Sequence, residues 1–167
     1  GKTNMLDALY YLSFCKSFFN SNDQFNVNHD EDFFFLHGNY DRNSAGEEII
    51  CGLQKGAKKQ FKRNSKVYDR LLDHIGLLPL VMVSPSDLNL ITGGSEERRK
   101  FMDGVISQYN QNYLDDLMKY NRALLQRNNM LKQFAQGYNF DNELILIWDE
   151  QLVEYGTRIH NERVAFV

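Results

Sequence analysis

Residues 84–103 read SPSDLNLITGGSEERRKFMD, and across them the chain changes its hydrophobic period. Just before them stands Leu80-Val81-Met82-Val83, a short all-apolar run of the kind that fills a strand covered on both faces. From Ser95 onward the apolar residues follow helical spacing instead. Phe101, Val105 and Ile106 mark a first segment, and Leu114, Leu117, Met118, Leu124, Leu125 and Leu131 a second. Leu144, Ile147, Trp148, Leu152, Tyr155 and Ile159 mark a third. Gly137 to Asn142 breaks the last two apart. Strand signals are almost absent from this half, which predicts antiparallel helices.

Upstream the pattern differs. Thr3 to Phe14 places Met5, Leu6, Leu9, Tyr10 and Leu12 to Phe14 at helical spacings, which predicts a helix buried on most sides. Phe33 to Tyr40 and Glu47 to Leu53 are aromatic and β-branched runs separated by turn residues 41–46, an expected antiparallel pair. Gln60 to Lys62 and Lys66 to Tyr68 flank Arg63-Asn64-Ser65 as a second short hairpin, and Asp69 to His74 reads as a helix ended by Gly76. The expected fold is α/β plus helical: a lobe with mixed or antiparallel strands over residues 1–94, then an antiparallel helical lobe over 95–167.

Composition narrows the function. The 167 residues carry 19 Lys+Arg against 22 Asp+Glu, a net charge of −3, with 43% hydrophobic residues. A chain of this kind buries a core and is not disordered. Leu77 to Val83, the longest apolar stretch, is far short of the ~20 residues that cross a bilayer, so no membrane partner is expected. Cys15 and Cys51 lack CxxC spacing, and His29, His37, His74 and His160 are scattered, which argues against a protein-held metal. Free thiols fit a reducing cytosol, and the chain reads as cytoplasmic.

Four features can carry chemistry. Gly1-Lys2-Thr3 opens a helix with the residue types that close a phosphate loop: Lys for phosphate charge and a Thr hydroxyl for Mg²⁺, at a positive helix N-terminus. The alternative is an ordinary solvated helix start. Residues 55–70 carry a local charge of +6 against −9 elsewhere, through Lys55, Lys58, Lys59, Lys62, Arg63, Lys66 and Arg70 opposed only by Asp69. That tract reads equally as a nucleic-acid face interleaved with Phe61 and Tyr68, or as a lysine-rich edge hairpin that resists aggregation. Asp87 follows an apolar run, where open α/β sheets place ligand groups, yet it also suits the first turn of a capped helix. Ser95 suits an N-cap and Glu96 and Glu97 the first turn of the next helix. Arg98, Arg99 and Lys100 remain as helix surface charge or as phosphate or subunit contacts.

GKTNMLDALYYLS, the CKS at 15–17, SPSDLNLITG, EERRKFMD, YLDDLMKYNRALLQRNNMLKQ and WDEQLVEYGTRI resemble, in order and spacing, the RecF family of bacterial recombination and repair proteins. The resemblance covers essentially the whole chain and is most specific over Ser84–Asp103 and Tyr113–Lys132. It implies part of a P-loop, SMC-like, ABC-type ATPase head with ATP held between two protomers. It also implies ATP-dependent DNA binding at single-strand gaps and junctions, where RecO and RecR are partners in loading RecA during DNA repair, replication and the SOS response. Carried onto this chain, Gly1, Lys2 and Thr3 contact ATP, with Thr3 on its Mg²⁺, and Asp87 senses the γ-phosphate side. Lys58, Lys59, Lys62, Arg63, Arg98, Arg99 and Lys100 are the expected DNA contacts. The resemblance places the protein in the nucleoid.

Departures limit the transfer. Asp7 stands where the family usually has Glu, Phe19 where Arg is usual, and Gly94-Ser95 where Ser-Pro is usual. The opening of the phosphate loop, an LSGGQ-type signature and an apolar strand ending in Asp-Glu are not found, so these residues complete no hydrolysis site and this chain alone is expected to be inactive as an ATPase. It reads as an N-terminal-half fragment. A competing expectation makes the helical half, with Tyr113, Tyr120, Trp148 and Tyr155, a protein-docking or dimerisation module without direct DNA contact.

Overall fold

Four strands pair in chain order, β1-β2-β3-β4, in the computed structural model, which describes residues 1–138 and 142–167. β1 (Phe33–Arg42) and β2 (Ala45–Gln54) run antiparallel, as do β2 and β3 (Gln60–Arg63), and β3 and β4 (Lys66–Val67). The β1–β2 and β3–β4 turns are each two residues long. Asn43-Ser44 and Asn64-Ser65 take positive φ values of 53° and 62°, and of 46° and 69°, the backbone that matches the twist of tight hairpins. The strands therefore extend further into the 41–46 segment than the apolar runs alone predict.

One sheet face is the core of this unit. Ile49, Cys51 and Leu53 on β2 and Phe61 on β3 are buried. Ile49, Cys51 and Phe61 pack with Tyr11 and Leu12 from the end of α1 (Lys2–Phe14) and with its C-cap Cys15. Met5 and Leu6 are exposed and Leu9 is 39% exposed, so α1 is not buried on most sides as its spacing predicts. Asp69–His74 is reduced to a 3-10 turn, Leu71–His74, and the chain then reverses at Gly76 with φ +88°.

Leu80–Val83 forms no strand, and Val81 and Val83 are exposed. Apolar composition marks a segment that can enter a sheet, but a strand exists only as a ladder partner, and the sheet here closes its order at β4.

The chain divides into two compact units, Gly1–Ser84 and Pro85–Val167. The division precedes the change of period at Ser95 because a 3-10 turn at Pro85–Leu88 and the short α2 (Asn89–Thr92) pack beside α3 (Ser95–Tyr109). The Arg98 guanidinium bonds the Leu90 carbonyl at 3.2 Å and reaches the Gly93 carbonyl at 3.4 Å. Gly94, not Ser95, is the N-cap of α3.

α4 (Gln111–Ala135) and α5 (Asn142–Phe166) lie antiparallel along much of their length. Arg158 forks onto Asp116 at 2.9 and 3.0 Å, and Arg127 pairs with Asp149 further along. Gly156 admits Tyr120 so closely that a Cβ there would sit 3.2 Å from its ring. A half-buried polar knot ties all three long helices: Arg163 bonds both Asp103 oxygens, each at 2.9 Å, and the Tyr113 hydroxyl donates to the same carboxylate. Residues 139–141 of the break between the last two helices lie outside the described residues. No described helix is long and apolar enough to cross a membrane.

Candidate functional site

The N-terminus of α1 carries the GKT tripeptide. Gly1 caps it without a side-chain hydrogen bond, no acid occupies its first turn, and Lys2 and Thr3 are exposed. Backbone N–H groups with no carboxylate beside them, an exposed ammonium and an exposed hydroxyl form the donor set that a phosphate with its Mg²⁺ requires. Among the described residues no cluster of His, Cys, Asp or Glu could hold a metal on its own.

The other end of α1 is fastened in detail. Cys15 turns the chain out of the helix in the left-handed region, φ 55°. Asp7 then grips the following turn, accepting from the Ser17 hydroxyl and the Phe18 N–H, each at 2.7 Å. His74, fully buried, donates from Nε2 to the Leu12 carbonyl at 2.6 Å, and the Ser13 hydroxyl donates to the Leu78 carbonyl. Lys59 completes the end. Its ammonium bonds the Cys15 carbonyl and pairs with Asp23 Oδ2 at 2.6 Å, 4.9 Å from the centre of the Tyr11 ring. Asp23 Oδ1 accepts from the Tyr11 hydroxyl at 2.7 Å. Burial pushes both nearby thiols, Cys15 and Cys51, up to about 12, against the pull of Lys59, so neither is a nucleophile.

These contacts sort the basic tract. Lys59 is 12% exposed and occupied internally. Arg63 lies on the core face and forks onto Glu47, whose carboxyl it holds below the usual carboxylate range. Asn64 also donates to that carboxylate at 3.0 Å. Lys58 and Lys66 are exposed, and Lys62 is half-buried on the opposite sheet face, across from Ile50 and Val67. Lys55 reaches back to the Asn28 and His29 carbonyls. Alternation explains part of this: Phe61 points inward, so Lys62 points outward and Arg63 inward.

The second unit disperses its own candidates. Arg98 closes the α2 carbonyls, and Lys100 pairs with Glu96 at 2.9 Å and Glu97 at 3.1 Å. Arg99 stays exposed, and Asp87 is half-buried in the first turn of its 3-10 segment. Sequence reasoning misses Asp7 and His74 as anchors of α1. The only signal for Asp7 is its occupation of a position usually held by another acid.

No family model matches the chain. Curated relatives do. The DNA replication and repair protein RecF of Bacteroides fragilis is 53% identical over 168 residues, covering 100% of this chain and 45% of its own length. The chain belongs to the RecF family. RecF of Bacteroides thetaiotaomicron is 52% identical over 168 residues, and RecF of Flavobacterium johnsoniae 48% identical over 167, each covering 100% of this chain. This chain covers 45% and 46% of those relatives in turn, so it spans about half the length of the RecF proteins it matches. The solved structure of the recombination mediator RecF with ATP, in the RecFOR pathway, superposes with a TM-score of 0.91 at 33% identity, over 99% of this chain and 44% of that one. The structure of RecF-ATPrS gives 0.91 at 32%. The antiparallel sheet followed by helices is therefore RecF architecture.

Proposed function

We propose that this chain carries the phosphate-contacting helix, the basic hairpin and much of the helical lobe of an ATP-dependent DNA-binding protein of replication and recombinational repair. The observation that carries the reading is the first turn of α1, free of acids and carrying Lys2 and Thr3, in a chain similar to a RecF solved with ATP. Gly1 offers backbone N–H, Lys2 neutralises phosphate charge, and Thr3 is the hydroxyl that holds Mg²⁺. Asp87 serves the linking loop. Bound ATP supplies the energy difference that switches dimerisation and grip on DNA. The protein acts at single-strand gaps and junctions with RecO and RecR to load RecA, in the cytoplasm at the nucleoid, as an ATP-dependent homodimer. In a RecF-family protein of full length carrying this sequence, Lys2→Ala lowers ATP affinity by about 10- to 100-fold, through removal of a charge-assisted hydrogen bond worth about 1.5–3 kcal/mol. Equilibrium titration with a fluorescent ATP analogue measures it, and unchanged affinity removes Lys2 from the site.

Within the first unit the DNA contacts are assigned to Lys58 and Lys62, with Lys66 as a further exposed cation, rather than to Lys59 and Arg63, which are paired with Asp23 and Glu47; within the second unit Arg99 is the candidate, rather than Arg98, bonded to the Leu90 carbonyl, or Lys100, paired with Glu96. Lys58→Ala with Lys62→Ala reduces the slope of log K against log salt by about two, one unit for each phosphate left without its lysine. Binding of a gapped duplex, titrated from low to moderate salt, reads that slope. An unchanged slope would favour the docking reading. That alternative draws on a specific observation, the exposure of Met118 and Leu125 on α4 and of Leu144, Ile147 and Val153 on α5.

A further inference from the structure

Lys59 looks, from sequence, like one more cation of the DNA tract, and the structure gives it other work. Its ammonium is enclosed on three sides: by the Cys15 carbonyl at the end of α1, by Asp23 from a 3-10 turn (Asp23–Asn26), and by the face of Tyr11 one turn back along the same helix. A cation at a helix C-terminus sits where the backbone dipole favours it, and with 12% of the side chain exposed little water screens the pair. Two residues on, Phe61 is 1% exposed and stacks parallel to Tyr11. One residue before it, Lys58 is exposed, and Lys62 follows on the outer face of β3. A movement of α1 along its axis must therefore carry the start of β3, and the two lysines on either side of Lys59, or break the bonds that tie the helix to the clamp, from the Lys59 ammonium to the Cys15 carbonyl and from the Tyr11 hydroxyl to Asp23.

We propose that Lys59 is a positioning residue that couples the phosphate end of α1 to the DNA-contacting lysines of the β3 hairpin. The proposal rests on the reading that ATP binds at Lys2 and Thr3 and that DNA binds at Lys58 and Lys62. The helix is the rigid element between the two sites, and the Lys59 clamp is a charged attachment of its far end to the hairpin side. Coupling of this kind is reciprocal and amounts to about 5- to 150-fold in affinity. Lys59 itself touches neither ligand.

The test is the ratio of DNA affinity with ATP to DNA affinity without it, measured on a gapped duplex with a full-length RecF-family protein carrying this sequence. Lys59→Met is expected to bring that ratio to within about twofold of unity while the affinity for ATP alone and for DNA alone each change less than about fivefold, the lower bound of coupling. Lys59→Arg, which keeps charge and donors, retains most of the ratio. Should Lys59→Met melt below the assay temperature, Asp23→Asn carries the same expectation, because it removes the countercharge and leaves an oxygen for the Tyr11 hydroxyl. A wild-type ratio surviving in a folded Lys59→Met protein overturns the proposal. So does an equal loss of DNA affinity with and without ATP, which would make Lys59 a simple DNA contact. Absence of any ATP effect in the wild type, or DNA binding indifferent to Lys58→Ala and Lys62→Ala, overturns the underlying reading instead and the coupling with it.

Discussion

Phe61→Ala is expected to destabilise the first unit by about 3–5 kcal/mol, the range for deleting a buried aromatic side chain. Phe61 is 1% exposed, pairs across the sheet with Cys51, stacks on Tyr11 with ring centres 6.4 Å apart, and meets the His74 ring at 5.2 Å. The cost belongs at the upper end because the walls of the cavity cannot close on it. α1 is held from behind by His74 on Leu12 and by Lys59 on Cys15, and β2 is held by its ladders on both sides. Hydrogen exchange of the β2 and β3 amides, read as opening free energies, measures the loss. Val67→Ala, at a 58% exposed position on the other sheet face, is the control and should stay within about 0.5 kcal/mol. A loss at Phe61 below that of an ordinary surface substitution would place the core elsewhere.

What is legible in the sequence follows from which interactions are local. The pairing of residues 33–40 with 47–53 and the short hairpin across Arg63-Asn64-Ser65 are encoded in neighbouring stretches of chain, and they stand in the structure as β1 to β4, with Arg63 taken into β3 and β4 ending at Val67. So do the three long helices, whose period repeats over many turns. Leu80–Val83 forms no strand because its composition says nothing of its neighbour. Lys59 reads as a DNA contact in the sequence because its true environment comes from Asp23 and Cys15, far away along the chain. Charge counting treats Lys58 and Lys59 alike, and only the fold separates the exposed one from the enclosed one. The GKT tripeptide is legible as a helix start, while the anchoring of the helix's far end by Asp7 and His74 requires the tertiary structure. Local pattern locates the ends of the candidate site, and long-range contacts decide how they are held together.

The stability of the first unit is expected to fall as pH drops below about 6.5, the ordinary histidine value, because of His74. Its Nε2–H donates to the Leu12 carbonyl at 2.6 Å, and Nδ1 lies 3.1 Å from the Tyr68 hydroxyl, an arrangement that a neutral ring satisfies in full. Burial holds its pKa below the ordinary value, assisted by the Arg63 charge, with the bond to Leu12 opposing. Above about pH 6.5 the ring is neutral in both states, so it contributes no slope. Between that value and the depressed folded one, the unfolded chain binds a proton that the folded chain refuses, and stability declines by up to about 1.4 kcal/mol per pH unit. Below the folded value the slope vanishes again. His74→Gln keeps an amide donor but cannot titrate. At about pH 7.5 it should be less stable by about 1–3 kcal/mol, from imperfect bonding of buried groups, yet it should lack this component of the decline. Denaturant unfolding of both proteins at about pH 7.5, 6.5 and 5.5, spanning the histidine range, isolates His74, because every other side chain is common to the two. The two stability curves should converge as pH falls; parallel curves would mean that His74 binds its proton equally in the folded and unfolded chain, and curves that separate would mean that α1 is held by a charged ring.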